Sequence, residues 1–387
     1  MRRYPLPAPP FVDANRTLLA PEPHDYWREL KAGGVFRDLG GYYVVTRRDD
    51  VAAALRDHTT FASARKPIAP SGPGRKSIPM PVPIAFDPPV HSRFRRILQP
   101  FFSSRAADEL LPALREQAAT LIDAVAAKGE CEAIRDIADP FPFGALTTLC
   151  GLPPNDRDKL AAMSDIDWDL PGTSPPGSEL FSYLVEAIAG DERPALAAQL
   201  LSGDDPLTED EVIGLYSLLC LAQDGMQGGI GSALLLLARN PMLRSLLRED
   251  HDQFGAFVEA LVRLATPLPF IGRVTTKQVI IDDVTIPAGS VVRLCLASAN
   301  LDDLEDSSVN VTDDGMIRAT PHWGFGGGVH RCLGAAIARM ELTVVVTEWL
   351  RVIPDFELEP DFPVKFTFTP GGAMKPSSLP LQWEPQF

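Results

Sequence analysis

Apolar residues recur at helical spacing through most of the chain, and the clearest run lies near its C-terminal end. From Leu333 the positions Ile337, Met340, Val344, Val345, Trp349 and Leu350 follow a 3.6-residue period with no Pro or Gly after Gly334. The pattern predicts a buried helix that begins just past Cys332. Residues 106 to 238 are helical in pattern almost throughout, broken near 151–155 and across the Pro/Gly/Ser stretch 170–178. Within that block Val212 to Ala238 is a long Leu-, Ile- and Ala-rich run interrupted by Gln223, Asp224, Gly225, Gln227, Gly228 and Gly229. A charge and two amides in mid-run argue against a membrane span and for a buried helix with a polar waist. With Gly231, the glycines there predict a local departure from regular helix or the close approach of a ligand.

Shorter elements surround this block. His24 to Ala32 and Asp49 to Asp57 read as helices, Met242 to Ala265 as one longer helix, and Val35 to Val45 as a hairpin turning at Gly40-Gly41. Val279-Ile280-Ile281, Val291 to Leu296 and Val364 to Phe368 read as strands, the last ended by Pro370-Gly371-Gly372. The first 23 residues are proline-rich and are expected to wrap the surface, and 66–86 is a long irregular loop with Lys66, Arg75 and Lys76. A loop of that length is uncommon unless it is functional or mobile. The mix is mainly helical with small sheets, and no linker, repeat or low-complexity tract divides it.

With 45% hydrophobic residues among 387, there is material for one large core. A net charge of −15 argues against nucleic acid or an anionic membrane as partner. Against that background Arg93, Arg95, Arg96 and Arg105 form a local basic cluster. Met1-Arg2-Arg3-Tyr4-Pro5-Leu6-Pro7 has no apolar stretch behind its charges, so neither a signal peptide nor an anchor is expected, and the location is expected to be cytoplasmic. Cys131, Cys150, Cys220, Cys295 and Cys332 are odd in number and far apart, so disulfides are not expected.

The candidate chemistry lies in Phe325-Gly326-Gly327-Gly328-Val329-His330-Arg331-Cys332-Leu333-Gly334, which delivers one cysteine to a helix start. Unpaired N–H groups and the positive dipole end favour a thiolate there, and His330 and Arg331 add positive charge. The glycines let a flat ligand approach the backbone, and Phe325 would cover it. A lone cysteine after a loop also reads as buried packing. Zinc would need two ligands beyond His330 and Cys332, and the other cysteines are scattered singly.

These ten residues resemble the haem-binding signature of the cytochrome P450 family, Phe-Gly-x-Gly-x-x-x-Cys-x-Gly, at every fixed position. The resemblance implies haem b with Cys332 as thiolate ligand to the iron, beside Phe325 and Gly326. His91 and Arg95 are four apart and share a helix face, which alone reads as a solvated basic face. Their segment also resembles the family's His-x-x-x-Arg helix, which implies that both bind haem propionates. Arg273 falls where the family carries a third propionate-binding arginine, and His330 joins them; guanidinium and carboxylate match in charge and forked geometry. The likeness covers residues 15 to 383 and implies a single-domain cytochrome P450 fold over 1–387, mainly α with small β-sheets.

Two stretches depart from the family. Its central helix reads Ala/Gly-Gly-x-Asp/Glu-Thr, where acid and alcohol guide protons and water to dioxygen; here the aligned residues are Leu221-Ala222-Gln223-Asp224-Gly225. The acid persists as Asp224, but Gly225 offers no hydroxyl. Ordered water, a substrate hydroxyl or an amide such as Gln227 must then serve, while Met226 either packs or faces substrate. The family's Glu-x-x-Arg becomes Ala260-Leu261-Val262-Arg263, with Glu259 one residue early and thus rotated by about 100° on the helix. The family's Phe-x-x-x-Arg becomes Val309-Asn310-Val311-Thr312-Asp313, so Arg263 is expected to pair anew, with Asp313 the candidate.

The implied function is a haem-thiolate monooxygenase that inserts one oxygen atom from O₂ into a small or medium apolar substrate in secondary metabolism. No flavin or iron–sulfur domain is fused, so electrons are expected from an external ferredoxin and its reductase, docked in part on the basic cluster. The missing alcohol keeps open a peroxide-driven or non-standard oxidase that closes or rearranges rings, and a catalytically silent haem-binding sensor is a third reading. Phe86, Ala222, Met226, Leu268, Phe270 and Met374 are the expected pocket walls.

Overall fold

Thr208 and Glu211 close a capping box: the Thr208 hydroxyl accepts the Glu211 N–H at 3.2 Å, and the Glu211 carboxylate accepts the Thr208 N–H at 2.8 Å. The helix they start runs 31 residues, Glu209–Arg239, about 46 Å at 1.5 Å per residue. Thr208→Ala is expected to lower global stability by about 1 kcal/mol, read as a lower melting temperature.

The computed structural model describes residues 23–38, 41–63, 79–164, 175–301, 309–369 and 372–385. The proline-rich start, residues 64–78 of the long loop, 170–174 and Pro370-Gly371 of the last turn lie outside them. In chain order the helices are α1 (Pro23–Ala32), α2 (Arg48–Arg56), α3 (Val90–Leu98), α4 (Ser104–Ala126), α5 (Pro140–Cys150), α6 (Arg157–Met163) and α7 (Pro175–Ala189). There follow α8 (Ala195–Ser202), the capped α9 (Glu209–Arg239), α10 (Pro241–Glu249), α11 (Gln253–Ala265), α12 (Leu296–Asn300) and α13 (Ala335–Val352). The first strands are β1 (Val35–Arg37), β2 (Tyr43–Val45), β3 (Phe61–Ala62), β4 (Glu130–Glu132), β5 (Phe270–Thr275) and β6 (Val279–Ile281). The rest are β7 (Val284–Ile286), β8 (Val291–Cys295), β9 (Glu357–Leu358), β10 (Phe366–Phe368), β11 (Met374–Pro376) and β12 (Pro380–Gln382).

The architecture is mainly α with small sheets. α9 packs against α5, α7, α11, α13 and β11, and α13 lies along α4. One core cluster joins α4, α9, α11 and α13 around the fully buried Trp349; a second gathers α3 and α5 to α9. The largest sheet has the order β1-β2-β8-β5-β3. In it β5 runs antiparallel to β8 with Arg273 opposite Val292, which puts the buried Arg273 on a rigid element. Among the described residues no helix is long and apolar enough to cross a membrane.

Three local expectations are corrected. α9 stays regular through its glycines: a Cβ on Gly228 would sit 2.4 Å from the Met374 carbonyl oxygen, and one on Gly231 would sit 2.7 Å from Ile134 Cδ1. Those two permit close packing within an unbroken helix. Met242 to Ala265 is two helices, because Asp250 accepts the Asp252 N–H at 3.0 Å and Gln253 Nε2 at 2.8 Å. Such a local side-chain bond competes with the helical ladder. Glu130-Cys131-Glu132, inside the block read as helical, is a strand paired with β12.

Candidate functional site

The cysteine turn is held by its own backbone. Gly326 N–H donates to the Trp323 carbonyl at 2.7 Å, and Cys332 N–H donates to the Phe325 carbonyl at 2.8 Å. Gly326 and Gly328 have φ of +65° and +64°, the left-handed region that favours glycine, whereas Gly327 is extended. At Gly328 the close approach is to the chain itself, since a Cβ would lie 2.2 Å from the Leu55 carbonyl oxygen at the end of α2.

Cys332 lies three residues before α13. Burial pushes its thiol up, while the Gly334 N–H and the Arg95, Arg339 and Arg331 guanidinium groups pull it down. The expected bias toward thiolate is thus real but outweighed by burial, and coordination to a metal deprotonates such a thiol outright. Cys332 nevertheless retains exposed surface, unlike the other four cysteines.

A second group gathers around one carboxylate. Asp87, just before α3, lies 2.8 Å from His330 Nε2, and the His330 ring lies 4.3 Å from that of His91 on α3. Arg95, one turn after His91, donates to the Arg331 carbonyl at 2.9 Å. Burial lowers the pKa of His91 to about 4, helped by His330 and Arg95 and opposed by Asp87. His330 is lowered by burial too, with Asp87 opposing and Arg273 adding to the effect. The structure therefore brings His91, Arg95, Arg273 and His330 into one electrostatic cluster. Asp87 and His58, which also acts on both imidazoles, had no part in the sequence reading. Their only sequence signals are an acid before a Pro pair and one isolated histidine.

On α9 the waist opens on one side. Ala222 is exposed between buried Leu221 and Gln223, Asp224 and Met226 are half-buried, and a Cβ on Gly225 would meet nothing within 4 Å. Gln227 is buried, and its Oε1 accepts from Lys375 Nζ at 3.2 Å; Lys375 also donates to Asp139 at 2.6 Å. Leu268 is 40% exposed, Phe86 and Phe270 are half-buried, and Met374 is buried with its carbonyl against Gly228.

The sequence profile described as Cytochrome P450 matches residues 312–382. A probable cytochrome P450 127A1 of Sinorhizobium fredii is 31% identical over 84% of this chain and 79% of its own. The chain belongs to the cytochrome P450 family. A vitamin D(3) 25-hydroxylase of Pseudonocardia autotrophica is 30% identical over 87% of each chain. The crystal structure of P450BioI in complex with hexadec-9Z-enoic acid ligated acyl carrier protein covers 94% of this chain and 98% of its own, with 25% identity and a TM-score of 0.79.

Cytochromes P450 are monooxygenase oxidoreductases that use cysteine-thiolate-ligated protohaem, and this chain is a haem-thiolate enzyme of that kind. The residues present fit the group. Cys332 keeps exposed surface, and beside it a partly buried cluster of two arginines and two imidazoles has Asp87 as the carboxylate acting on both imidazoles. That excess of donors suits a ligand with two carboxylates.

Two expectations tied to the family change. Arg263 is buried but Asp313 is exposed, and among the described residues no ion pair joins them. The basic cluster is largely occupied within the chain. Arg93 grips Asp205 at 2.8 Å, Glu211 at 3.3 Å and the Pro206 carbonyl at 2.8 Å, while Arg96 holds Asp205 and Arg105 holds Glu109. Arg93 thus clamps α3 to the start of α9 from the side opposite His91.

Proposed function

We propose that the chain, acting over 1–387 as one haem-thiolate domain, inserts one oxygen atom from O₂ into a small or medium apolar molecule of secondary metabolism. Electrons come from an external ferredoxin and its reductase. The observation that carries this reading is the desolvated yet surface-bearing Cys332 beside a cluster of arginines and imidazoles, with an opened waist on α9. Bound there, protohaem supplies the splitting of dioxygen and the transfer of one oxygen atom, while the protein supplies binding and electrostatics.

Cys332 would hold the iron through its thiolate, and Phe325 and Gly326 shape the turn that presents it. His91, Arg95, Arg273 and His330 would hold the two carboxylates of the protohaem. Ala222, Met226, Leu268, Phe270 and Phe86 exclude water and orient the substrate, with Met374 supporting them from behind α9. A relative that is a vitamin D(3) 25-hydroxylase and a neighbour in complex with a hexadec-9Z-enoic acid ligated acyl carrier protein support an apolar substrate class.

Proton handling falls to Asp224, whose half-buried carboxylate organises water beside Gly225. Because Gly225 has no hydroxyl, the last transfer uses water or a substrate hydroxyl; Gln227, whose Oε1 already accepts from Lys375, can orient water but is a poor proton source. The empty space at Gly225 also favours a second reading, oxidation driven by peroxide or a ring closure or rearrangement that needs little proton delivery.

Product yield from a panel of small apolar compounds, with ferredoxin, reductase, NADPH and O₂ in one arm and hydrogen peroxide alone in the other, decides between them. Product chiefly in the reductive arm is expected. Product confined to the peroxide arm would establish the second reading.

A further inference from the structure

The segment that leads to Cys332 is tied to α11 and α13 through one carboxylate. Glu259 on α11 accepts from Arg339 Nε at 2.5 Å and from Arg339 Nη2 at 3.1 Å, a forked pair between residues 80 apart in the chain. Its Oε2 lies 3.2 Å from His322 Nε2, and His322 Nδ1 is 3.0 Å from the Gly324 amide nitrogen. A backbone N–H can only donate, so Nδ1 is the acceptor and the His322 proton sits on Nε2. His322 is thus a neutral donor to Glu259. Burial pushes the Glu259 carboxyl up, but His322 and Arg339 outweigh it and bring its pKa to about 2.

The grip continues to the ligand turn. The Arg339 guanidinium carbon lies 4.4 Å from the centroid of the Phe325 ring, a cation–π contact whose plane the fork fixes. Phe325 in turn offers its carbonyl to the Cys332 N–H. Two residues, Arg339 and Phe325, therefore separate Glu259 from the one that bears the sulfur.

We infer that Glu259 is a positioning residue for Cys332, fixing the turn through Arg339 and Phe325 on one side and through His322 and Gly324 on the other. The neighbouring position, where the family places its acid, is here Ala260, buried in the core. The rotation between the two positions that keeps Glu259 from replacing that acid aims it at α13 instead. The inference rests on the proposed role of Cys332 as iron ligand.

The test uses holoenzyme and reads the site itself. Replacement of groups that orient metal ligands typically costs about 10- to 100-fold in affinity. Glu259→Ala is therefore expected to speed haem loss to an excess of apomyoglobin by about tenfold or more. It should also move part of the absorption of the reduced carbon monoxide complex from the thiolate to the thiol position. Arg339→Ala, which cuts one of the two paths, should do the same to a smaller degree, and the double variant should be no worse than Glu259→Ala alone, because the path through Arg339 is already cut there. Leu261→Ala, on the same helix and 1% exposed, should lower the melting temperature while leaving the band in place.

A Glu259→Ala protein that melts as early as Leu261→Ala but keeps the band and the rate of haem loss would overturn the inference, as would an additive double variant. Should Glu259→Ala yield no folded protein, Glu259→Gln, which keeps one acceptor, is read the same way and should show a smaller change of the same sign. A wild-type protein without the thiolate band would instead refute Cys332 as the ligand.

Discussion

Alanine at position 328 is expected to destabilise the protein by roughly 3 kcal/mol or more and to strip it of tightly held haem. Two costs add at this residue. Gly328 has φ +64°, which an L side chain adopts only under strain, and its Cβ would sit 2.2 Å from the Leu55 carbonyl oxygen. That oxygen belongs to the last turn of α2, and Leu55 itself is buried in the core beneath the large sheet. Neither partner can move without disturbing α2. Gly326 is the matched control: its φ is +65°, but the nearest atom to a Cβ is Ile271 Cδ1 at 3.5 Å. Gly326→Ala should therefore show the conformational strain alone, about 1–2 kcal/mol. Thermal unfolding and haem retention of the two variants give the comparison. Equal losses would mean that contact with α2 is not what demands glycine at 328.

The comparison also shows what the sequence could convey. A glycine-rich turn before a helix was legible because both the turn chemistry and the 3.6-residue period are local. The reason for Gly328 was not, since it depends on a helix more than 250 residues earlier in the chain. Sequence suggested that Gly326 to Gly328 admit a flat ligand; at Gly328 the close neighbour is the Leu55 carbonyl. The same limit explains the break at Asp250, where one side chain took over two donors, and β4, too short to show alternation. It explains Asp87 and His58 as well, whose roles exist only once α3 and the cysteine turn meet. At Glu259 the rotation argument correctly excluded a simple replacement of the family's acid, but the partners that acid gained lie 63 and 80 residues away.

Gly225→Thr carries the proposed chemistry to its sharpest point. Nothing lies within 4 Å of a Cβ added there, so the side chain enters open space, and φ is helical. Threonine is a better helix residue than glycine by a few tenths of a kcal/mol, so stability should hold or rise slightly. Its hydroxyl would stand next to Asp224, able both to accept and to donate, which the glycine cannot do. General acid–base help of this kind is worth about 100-fold or more when well placed, so product formed per electron in the reductive arm should rise by roughly tenfold even with imperfect placement. Gly225→Val has the same branched shape without the hydroxyl and separates chemistry from space. If valine raises coupling as much as threonine, the gain comes from packing and the proton argument fails. If both variants lose binding of the best substrate while stability is unchanged, the space beside Gly225 belongs to that substrate, whose own polar group is then the proton carrier. If threonine leaves the reductive arm silent and only peroxide yields product, the glycine marks a route that does not use dioxygen.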